Sequence, residues 1–167
     1  MNFTNKLNVI NKLIFNKSNF YYLILIISIF SCDRITKTLI IKNFIKETYY
    51  FNDFVNLDLI WNTGIGFGLL SYDTSLVYNL ITFLIGVVIL ILFNIAIISE
   101  NFDKLIFSII IGGALGNFYD RLTYNAVPDF IDLHYNSFHW FTFNVADIFI
   151  TLGILAMIIK SFFLKKK

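Results

Sequence analysis

The chain has 167 residues, of which 57% are hydrophobic and 14% are charged, and its formal net charge is +2. Soluble domains carry about 25% charged and 45–50% apolar residues, so this composition excludes a soluble globular protein, a disordered chain and a nucleic-acid binder of the basic-patch kind. The length allows one domain with a few membrane spans. The single cysteine, Cys32, excludes an internal disulfide and a cysteine-based zinc site.

Four apolar stretches approach the roughly 20 residues that a spanning helix needs. They cover approximately residues 20–41, 74–99, 105–121 and 144–164. The stretch 20–41 is not followed by a small-residue cleavage site, so we interpret it as a retained span and not as a signal peptide. The sequence therefore predicts that residues 1–167 form one mainly helical membrane domain with four spans.

Lysines flank these stretches on one side of the predicted membrane. They precede the first span, lie between the second and third, and close the chain: Lys6, Lys12, Lys17, Lys104, Lys165, Lys166 and Lys167. Because cytoplasmic flanks carry an excess of lysine and arginine, both termini are predicted to be cytoplasmic. The segments of about 42–73 and 122–143 then lie outside.

The two outer segments differ in pattern. Residues 52–62, NDFVNLDLIWN, alternate polar and apolar side chains, which is typical of strands and predicts strands on the membrane surface. A short interfacial helix is predicted from Leu69 onward. The second outer segment contains the only proline, Pro128, and both histidines.

Ionisable residues inside a span are costly, so they are candidates for a functional site. In DRITK, Asp33 and Lys37 are four residues apart and share one helix face, so they can pair. A purely structural ion pair is the alternative. In NTGIGFG, residues 62–68, the glycines permit unusual backbone angles and close approach to a ligand. Asn62 and Gly64 are therefore candidate peptide-binding residues, with a simple glycine turn as the alternative.

The segment GGALGNFYDR, residues 112–121, combines small and polar residues. Gly112 and Gly116 are four residues apart, which permits close helix packing in lipid. Asn117, Asp120 and Arg121 follow at the predicted outer end of the helix. We expect Asp120 to orient Arg121, which would donate hydrogen bonds to a substrate carbonyl.

The last motif, VPDFID with WFTFNVAD, supplies a possible catalytic pair. The separation of eighteen residues from Asp129 to Asp147 leaves room for an outer loop that folds back and brings these two carboxyl groups together. Two adjacent carboxylates do not both ionise easily, and such a pair shares a proton. The charged member can then take a proton from water while the neutral member polarises a carbonyl. Asn144 lies on the same helix face as Asp147.

Competing hypotheses about the enzymatic chemistry have weaker support. A dyad of Ser31 and Lys37 would need side chains from different helix faces. His134 and His139 are five residues apart, a poor spacing for a helical metal pair, and we expect them to be solvated in the outer loop. Cys32 is expected to be a packing residue and not a nucleophile.

Two other functions stay open from the residues. Asp120, Asp129 and Asp132 could bind magnesium and act on a lipid phosphate. Asp33 and Asp147 could instead be relay sites of a non-enzymatic, proton-coupled membrane carrier. Chelator sensitivity and a dependence on transport would distinguish these functions from metal-free hydrolysis.

Taken in order, DRITK, NTGIGFG, GGALGNFYDR, and PDFID with FNVAD resemble the motifs of the lipoprotein signal peptidases, or signal peptidase II. The resemblance implies a four-span aspartyl endopeptidase of the bacterial cytoplasmic membrane, with an outer β-cradle, an outer interfacial helix and an active site towards the outer face. It implies cleavage of diacylglyceryl-modified prolipoproteins just before the lipidated cysteine. It also implies a monomer surrounded by lipid that needs no metal or other cofactor and binds no nucleic acid.

The resemblance also implies roles for individual residues. Asp129 and Asp147 match the catalytic dyad, and Asp132, the second acid of DFID, is the rival. Substrate-contacting or site-supporting positions are matched by Asp33, Lys37, Asn62, Gly64, Asn117, Arg121 and Asn144, with Asp120 supporting Arg121.

Several positions depart from the family pattern. Arg34 stands where glutamine is common, Gly66 where alanine is usual, and Phe141 where a proline commonly follows the tryptophan. Pro128 instead precedes Asp129, where it fixes one backbone angle and removes a donor. Both acids survive, so we expect activity to be retained.

Overall fold

The computed structural model describes residues 16–43, 48–64 and 74–163. These residues form four helices, α1 (Lys17–Asn43), α2 (Thr74–Ile98), α3 (Asn101–Tyr124) and α4 (Val145–Phe163), and four strands, β1 (Tyr49–Asn52), β2 (Val55–Asn62), β3 (Val127–Tyr135) and β4 (Phe138–Phe143). The architecture is mainly helical with one small antiparallel sheet, as predicted. The expected interfacial helix from Leu69 and the glycine at 66 lie outside the described residues.

Three of the described helices are long and apolar enough to cross a membrane: Leu76–Ile98, Asn101–Tyr124 and Val145–Phe163. They agree with the second, third and fourth predicted spans. Helix α1 is 27 residues long, but its second half carries charged side chains that lower its apolar character. Large apolar side chains face outward on the spanning helices, such as Phe83 at 66% and Leu90 at 64% exposure. Lipid would cover these surfaces.

Helix α3 is the centre of the helical bundle and contacts the other three helices. Its glycines permit this close packing. A Cβ at Gly112 would approach the Cβ of Ile29 to 2.8 Å, and one at Gly116 would collide with the Asp33 carboxylate. A Cβ at Gly113 would lie 2.6 Å from a backbone carbonyl oxygen of α4. The predicted small-residue packing is therefore present, and α3 brings the ends of α1 and α4 together.

The sheet has the order β1-β2-β3-β4, and all neighbouring strands are antiparallel. Strand β2 confirms that residues 55–62 of the predicted stretch 52–62 form a strand, although burial does not alternate along it. Strands β3 and β4 form the hairpin by which the second outer segment folds back to α4. The pairing shifts register between Leu57 and Ile60 on β2 and between Leu133 and His134 on β3. Each one-residue shift changes which side chains share a face of the sheet.

Cys32 differs from expectation. It is exposed on α1 and not packed in the interior. The buried apolar side chains that pack in the interior of the bundle are instead Ile26, Ala96 and Ile111. A helix that faces lipid on one side has apolar positions on its outer surface as well as its inner one. Sequence hydrophobicity alone therefore did not distinguish lipid-facing positions from interior positions.

Candidate active site

The predicted site residues meet where the ends of α1 and α3 reach the start of α4 and the strands β2 and β3. At the centre is Asp129 on β3, which is only 4% exposed. Asn62 donates a hydrogen bond from Nδ2 to Oδ2 of Asp129 at 2.8 Å, and Asn144 donates from Nδ2 to Oδ1 at 2.6 Å. Both donors are neutral amides, so they orient the carboxyl group without adding a positive charge.

A bulge in β2 places Asn62 beside Asp129. Ile60 pairs with Asp129 after the register shift, and Asn62, two residues further, lies on the same face of the sheet. The Oδ1 atom of Asn62 accepts the Gly64 backbone N–H at 2.8 Å. This contact directs Nδ2 of Asn62 towards Asp129.

Gly64 supports that turn through its backbone conformation. Its φ is +72°, in the left-handed region that glycine adopts without steric cost. A Cβ there would lie 3.9 Å from an Arg121 nitrogen, which is an ordinary contact. The backbone angle, and not a lack of space, therefore accounts for glycine at this predicted site position.

Asp147 is held by the first turn of α4. Its backbone N–H donates to Oδ1 of Asn144 at 3.1 Å, while the Asn144 backbone N–H donates to Oδ2 of Asp147 at 3.1 Å. This reciprocal arrangement is a capping box, in which the residue before a helix and the third helical residue satisfy each other's backbone groups. The other carboxylate oxygen of Asp147 accepts a hydrogen bond from Asn117 Nδ2 at 2.8 Å.

Asn144 therefore contacts both predicted catalytic aspartates, which we call the dyad. Asn144 is fully buried. Its side-chain amide donates to Asp129 through Nδ2 and accepts the backbone N–H of Asp147 through Oδ1. Burial is the main cause that raises the pKa of Asp129 above its ordinary value, and the charge of Asp147 raises it further. The hydrogen bonds from Asn62 and Asn144 act in the opposite direction. The net effect is a pKa of Asp129 above its ordinary value.

Beside the dyad lies a charge cluster of Asp33, Arg34, Lys37 and Asp120. Lys37 Nζ is 2.9 Å from Asp33 Oδ2 and 2.7 Å from Asp120 Oδ2, and Arg34 Nη2 is 2.6 Å from Asp120 Oδ1. The predicted pair of Asp33 and Lys37 is thus formed, with both side chains fully buried. Asp33 Oδ1 also accepts the Ala146 backbone N–H at 3.0 Å. The cluster joins α1, α3 and the start of α4.

The expected contact between Asp120 and Arg121 is wrong. Asp120 binds Lys37 and Arg34, whereas Arg121 donates from Nη1 to the Asn117 backbone oxygen at 3.3 Å. Successive side chains on an α-helix point about 100° apart, so neighbours in sequence do not face each other. Arg121 is half-buried at the edge of the site, with its guanidinium near Gly64.

Asn117 connects the charge cluster to the dyad. Its Oδ1 accepts a hydrogen bond from Lys37 Nζ at 2.8 Å, and its Nδ2 donates to Asp147 at 2.8 Å. Because Lys37 has only donor hydrogens, it fixes which end of the Asn117 amide faces Asp147. Lys37 therefore orients a dyad partner without touching the dyad oxygens itself.

Arg34 is the site residue that sequence reasoning missed. It stood out as a departure from the family pattern, yet it pairs with Asp120, and its guanidinium lies 4.9 Å from the ring centroid of Tyr119. Its position next to Asp33 in a polar run inside a predicted span was the available signal. A second positive charge beside two buried carboxylates balances the cluster.

Asp132 lies away from the dyad. Residues 129 and 132 are three apart on a strand, so their side chains face opposite sides. The Asp132 carboxylate instead lies 2.8 Å from His139 Nδ1. His134 is buried at 6% exposure on β3, so the expectation of two solvated loop histidines is wrong for it. The three acids proposed for a magnesium site, at 120, 129 and 132, have separate partners and do not converge.

Comparison with known proteins assigns the chain to a family. The model of the Signal peptidase (SPase) II family matches residues 25–163. The chain belongs to this family. A lipoprotein signal peptidase of Pelagibacter ubique is 50% identical over 156 residues, which are 91% of this chain and 94% of that protein. One of Aquifex aeolicus is 40% identical over 153 residues, 89% of this chain and 90% of that protein.

A solved structure described as a bacterial membrane enzyme superposes with a TM-score of 0.70. It is 27% identical in sequence, and the match covers 88% of this chain and 94% of that chain. Together with the three apolar helices, these matches identify the chain as a peptidase of the SPase II family with a multi-pass membrane fold of the bacterial kind.

Proposed function

We propose that this SPase II family member is an aspartyl endopeptidase that removes signal peptides from diacylglyceryl-modified prolipoproteins, cleaving just before the lipidated cysteine. The single observation that supports the mechanism is the position of Asn144. Its side chain donates to Asp129 and caps the helix turn that holds Asp147. Two aspartates gathered around one amide, each with neutral donors, form a pair that can share one proton.

In the proposed reaction, Asp129 is the neutral member, because burial raises its pKa. Asp147 takes a proton from water as the water oxygen attacks the scissile carbonyl carbon, and Asp129 gives its proton to the carbonyl oxygen. Collapse of the tetrahedral intermediate breaks the C–N bond, and the proton taken up by Asp147 passes to the leaving nitrogen. The hydroxyl proton of the intermediate returns to Asp129.

The substrate strand would pass between Arg121 and the Asn62–Gly64 turn. Arg121 is half-buried at this edge, and its planar guanidinium suits backbone carbonyl oxygens. Asn62 already uses Oδ1 for Gly64 and one Nδ2 hydrogen for Asp129, which leaves its second Nδ2 hydrogen for a substrate carbonyl. Asn62 then both binds substrate and orients the dyad.

We propose that α1 also crosses the membrane, as the first of four spans, and that the dyad faces the outer side of the bacterial cytoplasmic membrane. The lysines support this orientation, because Lys104 and Lys160 lie at the end of the bundle opposite the dyad. There Lys104 contacts Asn19 at 2.6 Å, and Lys160 pairs with Asp103. Both termini are then cytoplasmic. The diacylglyceryl chains can stay in the outer leaflet while the peptide bond reaches the dyad of a monomeric enzyme.

The test is cleavage of a diacylglyceryl-modified lipobox peptide by purified full-length protein in lipid with EDTA present. The same peptide without lipid, and the variants Asp129→Asn and Asp147→Asn, are run beside it. Asp53→Asn, an exposed acid in the β1–β2 turn, is the matched control. We expect cleavage before the lipidated cysteine by the wild type and by the control only.

Other outcomes would select another function. Loss of cleavage in EDTA would favour metal-dependent chemistry. A folded wild-type protein that cleaves neither peptide would contradict the proposal and return attention to a proton-coupled carrier.

A further inference from the structure

We propose that Asp132, His134 and His139 of the β3–β4 hairpin form a binding site for a divalent transition-metal ion, with zinc as the best fit. The site is separate from the dyad and does not depend on the proposed peptidase mechanism. Its ligand atoms, one from each residue, all lie within 4.8 Å of one another. We call this group the hairpin site.

The spacing of the donor atoms suits a small tetrahedral ion. Asp132 Oδ2 is 2.8 Å from His139 Nδ1 and 3.6 Å from His134 Nδ1. Zinc bonds of about 2.0–2.1 Å at tetrahedral angles place neighbouring donors about 3.3 Å apart. These two separations lie on either side of that value, and the proposal requires side-chain rotations that bring all three donors to it.

A register shift brings the third residue to the site. Leu133 pairs with Phe141, but the next residue, His134, pairs with His139. Strand β4 therefore carries one extra residue, Trp140, at this point. Without that bulge His134 would face Trp140, and His139 would lie on the other face of the sheet. Bulges commonly re-aim a side chain in this way.

The second observation comes from His134 itself. The side chain is 6% exposed, and its Nδ1 atom has no hydrogen-bond partner among the described residues. Buried polar atoms normally have one. This nitrogen faces Asp132 Oδ2 at 3.6 Å, which is too long for a hydrogen bond but short enough for a shared ion. A metal bound there would occupy the unpaired nitrogen.

The donor types select the class of ion. The two imidazole nitrogens suit zinc and its first-row neighbours, which also accept a carboxylate oxygen, whereas magnesium and calcium prefer oxygen donors alone. Three protein ligands leave a fourth position for water. The His139 side chain is 59% exposed, so an ion can enter from solvent. The chain contains only these two histidines, so no other pair of imidazoles competes.

The position of the site indicates a structural role. A bound ion would join β3 to β4 near the hairpin turn. Strand β4 ends at Phe143, and the next residue is Asn144, which holds both members of the dyad. The ion would thus restrain the strand that leads into the active site without contacting the dyad.

The experiment measures binding directly. Full-length protein with a histidine-free affinity tag is stripped with EDTA, freed of chelator, and titrated with Co²⁺ as a spectroscopic probe and then with Zn²⁺ as competitor. The variants are His134→Gln and His139→Gln. The control is Asp53→Asn, which removes an exposed acid from the same sheet without touching the hairpin site. Thermal unfolding is followed with and without Zn²⁺.

We expect one equivalent of Co²⁺ to give the intense d–d absorption of four-coordinate cobalt and to be displaced by Zn²⁺. Each histidine variant should bind at least about tenfold more weakly, since even loss of an outer partner of a metal ligand costs 10–100-fold. Zn²⁺ should raise the unfolding temperature of the wild type and of Asp53→Asn, but not of the histidine variants.

Equal affinity in the wild type and both histidine variants would overturn the proposal, as would wild-type protein that binds neither ion. Because His139 is exposed, His139→Gln should fold normally. Its metal-free unfolding temperature and helical circular dichroism are compared with those of the wild type. A folded His139→Gln protein that binds as tightly as the wild type would likewise overturn the proposal.

Discussion

The charge cluster and the dyad each contain two aspartates, but the groups that bind these aspartates differ between the two regions. In the cluster, Asp33 and Asp120 pair with the cations Lys37 and Arg34, which balance the charge of the two carboxylates. In the dyad, each carboxylate oxygen accepts an N–H from an amide group. Amide donors fix geometry but add no charge, so a proton can still be shared. The residues that pair with each aspartate therefore distinguish the charge cluster from the proposed catalytic dyad.

The two regions are joined through one side chain. Asn117 accepts from Lys37 and donates to Asp147. The cluster therefore forms the rigid support on which the dyad is oriented. Breaking the dyad should remove activity and leave the fold, whereas breaking the cluster should weaken the fold first.

The largest expected effect is the loss of activity caused by substitutions in the dyad. Asp129→Asn and Asp147→Asn should each lower kcat at least about 1,000-fold, because general acid and base steps contribute about 10²- to 10⁴-fold. The asparagine is isosteric, so the unfolding temperature should stay close to that of the wild type. Activity is measured on the lipidated peptide. Either variant retaining more than a tenth of wild-type kcat would contradict the assignment.

Substitutions in the charge cluster should instead lower the stability of the fold. Lys37→Met leaves buried carboxylates with less positive charge, and removing one partner of a buried ion pair costs about 3–5 kcal/mol. We expect a clearly lower apparent unfolding temperature in detergent. Lys42→Met, which changes an exposed lysine of the same helix, is the control. An unchanged unfolding temperature in Lys37→Met would show that the cluster contributes little to stability.

A smaller effect is expected at the helix contact behind the cluster. In Gly116→Ala the new methyl group would collide with the Asp33 carboxylate, and overpacking typically costs about 1–3 kcal/mol. Gly86→Ala is the matched control, since its Cβ would meet the ring edge of Phe118 at 3.1 Å, a side chain that can move. The unfolding temperatures of the two variants are compared with each other. Equal stability would argue against close packing at Gly116.

The smallest effect concerns pH. The Asn62 hydrogen bond lowers the pKa of Asp129, while burial raises it. Asn62→Ala removes a lowering influence, so the pKa of Asp129 should rise and the alkaline limb of kcat/KM should move to higher pH. The shift should be under about one pH unit, because a hydrogen bond contributes about 1 kcal/mol and one unit equals 1.36 kcal/mol.

The control for this pH profile is Asn94→Ala on α2, where the exposed side chain donates a hydrogen bond to the Leu90 backbone oxygen of its own helix. Its profile should match that of the wild type. A shift of the Asn62→Ala limb to lower pH would contradict the role of Asn62 as a donor to a protonatable Asp129.

Much of this arrangement could be predicted along the chain. Apolar stretches indicated the helices, alternation indicated β2, and the spacing of Asp33 and Lys37 indicated their pair. Such features are local, because helix and strand periods determine which neighbours share a face. The partner of Asp120 was predicted wrongly, since sequence proximity to Arg121 carried no information about the distant residues Arg34 and Lys37.

By itself, the sequence determined the membrane class, the helices and the family motifs, because composition and short-range periodicity carry that information. Only the tertiary structure decided which polar groups meet. Bulges in β2 and β4 changed the faces of Asn62 and His139, and close packing at Gly116 brought Asp33 against α3. A one-residue register shift reverses every later side chain on a strand, and nothing in the local pattern marks where it occurs.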